Sequence, residues 1–186
     1  ARCAARARLS VRLRGFLASL FDLCRFRRGP EDMPWAPGLL VALLAGCVVI
    51  QSAFEAHYGA KPAIVVAVLA GWLAVLGLLK ILLRGRGKPE RFVQTATALA
   101  SVTLLFDIIV YPLALLLPLQ QILAREAAAD LALSGAQTLA MFVIGILSVW
   151  ELCVWIGTLR RSLELTLAGA VLMFLLLLIV NRLVAG

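Results

Sequence analysis

Apolar residues in this chain do not alternate with polar ones; they run on. Five stretches, Gly38–Phe54, Ala63–Leu83, Phe92–Leu117, Gln137–Thr158 and Leu165–Val184, are almost continuously apolar, with short polar segments between them. A hydrocarbon core about 30 Å thick takes roughly 20 residues of helix at about 1.5 Å each, so each stretch is long enough to cross a bilayer. Backbone amides in lipid must find partners inside their own segment, which selects helices. A β-barrel would instead show alternating segments of about ten residues. The pattern predicts an all-α, polytopic membrane helical bundle of five transmembrane helices.

Ahead of the first run the period changes. Leu9, Leu13, Phe16, Leu17, Leu20, Leu23 and Cys24 recur at helical spacing over 9–26, while Arg8, Arg12, Ser19, Asp22 and Arg25 fall mostly elsewhere. An arginine-rich amphipathic helix beside a membrane is expected to lie in the headgroup plane, drawn to anionic lipid. Gly29-Pro30-Glu31-Asp32-Met33-Pro34-Trp35-Ala36-Pro37 then forces a turn, since prolines cannot continue a helix. Two regions follow: residues 1–37, a cytoplasmic basic amphipathic helix and Pro-rich turn, and residues 38–186, the bundle. Arg8, Arg12, Arg14, Phe16, Leu20 and Trp35 are the candidate membrane-surface or partner-facing residues.

Composition agrees with the runs: 63% hydrophobic and 15% charged, where a soluble domain holds about 45–50% and about 25%. The formal net charge of +8 would suit nucleic acid, but its distribution excludes that partner. Arginines and lysines concentrate before the first run, at Arg84, Arg86, Lys88 and Arg91, and at Arg160 and Arg161. The alternate loops hold only Lys61 and Arg125, with Arg182 at the end of the last run. Basic loops are retained in the cytoplasm, so the N-terminus is expected inside and the C-terminus outside. The early segment is too arginine-rich for a cleavable signal peptide. Residues 120–136, with Arg125, Glu126 and Asp130 among alanines, are expected to form a short outer helix.

Chemistry within the runs is sparse. Cys3, Cys24, Cys47 and Cys153 match no metal spacing, and His57 is the single histidine, in a loop. Neither a metal nor another cofactor is expected. No nucleophile–base pair or nucleotide loop is present, so enzyme is the weakest class and no residue is assigned as catalytic. Arg84-Gly85-Arg86-Gly87-Lys88-Pro89 lacks the spacing of a phosphate loop.

Intramembrane polar groups are the remaining candidates: Asp107, Glu151, Gln51, Asn181, Lys80 and Arg182. Counting rise from the cytoplasmic end puts Asp107 at about 22 Å, level with Gln51, Ser52, Tyr111, Asn181 and Arg182. The same count puts Glu151 at about 10 Å, near Lys80, and so about 12 Å from Asp107 along the membrane normal. Two separate contacts are expected: Asp107 with Gln51, Asn181 or Arg182, and Glu151 with Lys80 or Arg160. Pro112 is expected to free a carbonyl and kink the third span. Trp72, Trp150 and Trp155 read as packing or interfacial groups. Ala42/Gly46, Ala63/Ala67/Gly71 and Ala96/Ala100 read as close-approach stripes.

The passage Trp150-Glu151-Leu152, Trp155, Leu159-Arg160-Arg161-Ser162-Leu163 and Gly169, with the basic N-terminal segment and five short-looped spans, resembles the Yip-type family of five-span membrane proteins. Five spans also divide poorly into the inverted halves usual in a secondary transporter, which leaves a non-catalytic membrane component as the expectation. Eukaryotic members of the Yip-type family interact with Rab/Ypt GTPases, and bacterial relatives are inner-membrane proteins. The family's acidic-aromatic Gly-Pro motif before the first span is matched only by Gly29-Pro30 in another setting, so GTPase partnership is not carried over. The alanine- and arginine-rich composition points to a high-GC bacterial source and an inner-membrane location.

The expected function is a non-catalytic inner-membrane scaffold or accessory subunit. Its amphipathic N-terminus and bundle surface would engage anionic lipid headgroups and a membrane or cytosolic partner, or a second copy. The alternative is a proton-coupled small-solute or ion transporter using Asp107 and Glu151.

Overall fold

The computed structural model describes residues 14–59, 63–118 and 134–185. Among them the chain is helical and without strands. A short helix α1 spans 14–24, and five long helices follow: α2 (Pro37–His57), α3 (Ile64–Gly85), α4 (Phe92–Ala114), α5 (Gly135–Leu163) and α6 (Leu167–Ala185). All five are long and apolar enough to cross a membrane. This is a multi-pass membrane protein.

Each boundary has a local cause. Pro37 opens α2 at a position where its missing N–H costs nothing. Ser134 caps α5, accepting from the Gln137 N–H at 3.3 Å while the Gln137 side chain accepts from the Ser134 N–H at 3.0 Å. At its other end α5 stops in a left-handed turn at Glu164, φ 50°. α5 therefore runs five residues past the expected end at Thr158, and that extension changes the site below. α4 stays helical through Pro112 and ends two residues later, at Ala114. Carbonyls at and just past its end are bound from elsewhere: Tyr58 Oη, just after α2, donates to Ala114 O at 2.8 Å, and Gln137 Nε2 of α5 to Leu116 O at 3.3 Å.

The five helices close into a ring in the order α2, α4, α5, α6, α3. α4 is the most enclosed, with Thr95 through Thr103 continuously buried. Its hydroxyls and alanines leave no bulk to hold neighbours away, and Gly46 of α2 lets Leu104 come close. Thr95 bonds across to Ser162 at 3.0 Å, while Thr97, Ser101, Thr158 and Ser162 bond back to their own helices. One half of the bundle interior is a dry core of Leu43, Cys47, Leu79, Leu83, Leu99 and Leu159.

The basic loops gather at that half. Glu164 pairs with Lys88 and Arg91, joining the α5–α6 turn to the α3–α4 turn. Gln94 donates to the carbonyls of Glu31 and Met33. Arg161 donates to the carbonyls of Phe26, at 2.7 Å, and Arg28. Hydrogen bonds from Lys88 lower the Glu164 carboxyl below its ordinary range, with the Lys88 and Arg91 charges acting the same way.

α1 departs from expectation. Leu20, Leu23 and Cys24 are buried against Ala98, Val102, Phe106 and Val154, so its apolar face is spent on α4 and α5. Leu20 is 6% exposed and is not available to a partner, whereas Leu17, expected on the same face, is 52% exposed. Ser19, expected on the polar side, is buried and accepts from Arg28 at 3.1 Å. The helix ends with Phe26 in the left-handed region, and the Arg27 N–H closes back onto Asp22 O at 2.9 Å. Trp150 Nε1 donates to Cys24 O at 3.0 Å. Trp35 is 66% exposed and Arg14 is exposed, while Phe16 is half-buried. Arg8, Arg12, Cys3 and the expected helix near Arg125 lie outside the described residues.

Candidate functional site

Above the dry core the ring does not fill. A cavity of about 820 Å³ lies between the helices, and all five line it. It reaches the end of the bundle opposite the basic loops, where Glu55, Ile64 and Arg182 stand at its rim. Its inner end is an aromatic floor. Trp72 and Trp155 rings are 6.4 Å apart, and Trp155 and Phe174 meet edge-on at 6.1 Å.

Gln51, Asp107, Tyr111, Asn181 and Arg182, placed in one layer by counting, all line this cavity. Ser52, the sixth member of that layer, does not; its hydroxyl is buried without a hydrogen-bond partner. Of the three contacts expected for Asp107 the Gln51 one forms: Gln51 Nε2 donates to Asp107 Oδ2 at 2.9 Å. The amide's other end accepts from Trp72 Nε1 at 3.1 Å. The relay Trp72–Gln51–Asp107 thus ties α3, α2 and α4 together at cavity level.

Glu151 corrects the sequence reading twice. Neither Lys80 nor Arg160 forms an ion pair with it: Lys80 Nζ sits over the Phe92 ring at 5.9 Å, and Arg160 is exposed. Lys80 is not part of the cavity. Glu151 is also not 12 Å away from the level of Asp107. Trp155 Nε1 donates to Thr103 Oγ1 at 3.0 Å, which fixes the register of antiparallel α4 and α5. Asp107 is one turn beyond Thr103 and Glu151 one turn before Trp155, so both carboxyls stand at the same height across the cavity. The earlier count started from Thr158. Measured from the true end at Leu163, Glu151 lies about 18 Å in, against about 22 Å for Asp107 from the start of α4.

The site therefore carries three carboxyl groups, Glu55, Asp107 and Glu151, against one guanidinium, Arg182. None of the four forms an ion pair with another of the described residues. Trp72, Trp155, Phe174, Thr103 and Glu55 were not among the sequence candidates. Two signals for them exist. An indole N–H in lipid must find an acceptor, so each buried Trp points to a polar neighbour. Thr103/Asp107 and Glu151/Trp155 share the i, i+4 spacing that places each pair on one helix face.

No family model, curated protein or solved structure matches this chain.

Proposed function

We propose that the chain is a membrane carrier for a small cationic solute, bound in the bundle cavity with Asp107 and Glu151 as its charge partners and proton acceptors. One observation carries this reading: two carboxyls stand level in a half-open cavity, at a depth where ionisable side chains are costly, without a cation paired to either. A bundle that only needed internal glue would pair them. The shape supports it as well, since a chamber open at one end and sealed by leucines at the other is one face of an alternating cycle. The basic loops cluster at the sealed end, which supports a cytoplasmic N-terminus and an outward-facing mouth, and the alanine- and arginine-rich composition supports a bacterial inner-membrane location. Yip-type membership is part of the same proposal and rests on the Trp150–Gly169 passage.

The test is uptake into proteoliposomes. Asp107→Asn and Glu151→Gln should each abolish proton-coupled uptake of organic or inorganic cations while the purified protein keeps its helical content and elution volume. Full uptake by both variants would refute the carrier.

A scaffold role is the second reading, favoured by the exposure of Arg14 and Trp35 beside the buried face of α1. Deleting Arg2–Phe26 would remove core residues along with the surface. Arg14→Glu with Trp35→Ala is the cleaner probe. Loss of a co-purifying protein from this double variant would support the scaffold, and an unchanged lone protein would speak against it.

A further inference from the structure

We infer that the guest of this cavity is an organic ammonium with an aromatic or apolar body, rather than an inorganic ion. The inference rests on reading the cavity as a cation site and adds the class of cation. It stands on what the floor offers. Both indole N–H groups at the floor are already spent, Trp72 on Gln51 and Trp155 on Thr103. Trp72 is buried, and what Trp155 and Phe174 leave for a guest is ring surface, next to Glu151 one turn away on the same helix as Trp155. Ring faces attract cations whose charge is spread and weakly hydrated, and they bury apolar carbon.

An inorganic cation is served poorly by the same walls. Sodium, calcium and magnesium take several converging oxygens in place of water. No group of three or more His, Cys, Asp or Glu side chains that could hold a metal ion occurs among the described residues. One Asp107 oxygen is already committed to the Gln51 amide. Size agrees too: about 820 Å³ falls within the roughly 300–1,000 Å³ of small-molecule sites and far exceeds a bare ion. A neutral guest of the same shape would leave the carboxyls without a counter-charge.

The experiment is calorimetric titration of the full chain in nanodiscs, with empty nanodiscs as baseline. The probes are 2-phenylethylammonium, its neutral analogue 2-phenylethanol, methylammonium, and sodium and potassium chloride. Expected is saturable binding of 2-phenylethylammonium at least about tenfold tighter than 2-phenylethanol, with about tenfold lost in Glu151→Gln, a change worth about 1.4 kcal/mol. Trp155→Leu should lose about fivefold for 2-phenylethylammonium and nothing for methylammonium, while Trp155→Phe, which keeps a ring, should bind nearly as the parent does. If sodium or potassium binds and 2-phenylethylammonium does not, the organic class is overturned and the cation cavity stands. Equal binding of 2-phenylethanol, or no binding of any probe, overturns both. Equal binding by Trp155→Leu overturns the role of the aromatic floor. Should Glu151→Gln fail to fold, the probe series on the unaltered chain still decides.

Discussion

Two side chains on α2, neighbours in sequence, show how a bundle treats polarity. Gln51 uses both ends of its amide, on Trp72 and on Asp107. Gln51→Leu strips partners from an indole N–H and a carboxylate at once. We expect a loss of about 2–4 kcal/mol, read as a lower midpoint of thermal unfolding in detergent. The Ser52 hydroxyl has no hydrogen-bond partner among the described residues. Ser52→Ala removes an unsatisfied hydroxyl and should leave stability unchanged or raise it by up to about 1 kcal/mol in the same assay. Both residues are plain polar letters in an apolar run, and nothing in the sequence distinguishes the one that is satisfied from the one that is not. The difference arises from which neighbour each meets.

At the scale of elements, α1 is fastened rather than adsorbed. Trp150 and Arg161 of α5 hold the carbonyls of Cys24, Phe26 and Arg28 just after the helix ends. Those carbonyls flank a left-handed Phe26, where the chain reverses and a glycine would be easier. Arg161→Ala should free this segment at a cost of about 1.5–3 kcal/mol. The measurement is hydrogen exchange: amides of 19–28 should exchange faster in the variant while those of α4 keep their protection. Uniform acceleration across the bundle would contradict a local clasp. The amphipathic pattern of this segment was legible in its spacing. Its destination was not, because a stripe of leucines serves a lipid surface and a helix groove equally well.

Across the whole molecule, charge holds the turns of one end together. Glu164 is exposed, and its carboxyl is held below the ordinary glutamate range chiefly by the Lys88 hydrogen bond. A carboxyl with a lowered folded-state pKa stabilises above its unfolded pKa, about 4.3, and that contribution fades as pH falls through the lower folded value. Glu164→Gln should therefore lower the thermal midpoint at pH 7 and at low salt, by a gap that narrows as pH falls below about 4.3 and closes in about 1 M salt. A gap that neither falling pH nor salt narrows would mean that the left-handed backbone at 164, not the charge, sets the difference. The same end carries Arg28, Arg84, Arg86 and Arg161. Single-cysteine labelling of intact cells should place Arg86 and Glu164 on one side and Glu55 on the other.

By itself the sequence determined the number of spans, their helical character and the sorting of basic loops. Each of these depends only on runs, lengths and charges along the chain, which lipid reads one segment at a time. It also placed Gln51, Ser52, Asp107, Tyr111, Asn181 and Arg182 in one layer, since rise per residue is constant within a helix, but not which of them would face the cavity: all do but Ser52. Register between helices was beyond it. Five extra residues at the inner end of α5 moved Glu151 up to the level of Asp107, and a Trp155–Thr103 hydrogen bond fixed it there. The cavity, its aromatic floor and the docking of α1 were likewise decided only by tertiary packing, because each depends on which side chains from separate helices meet.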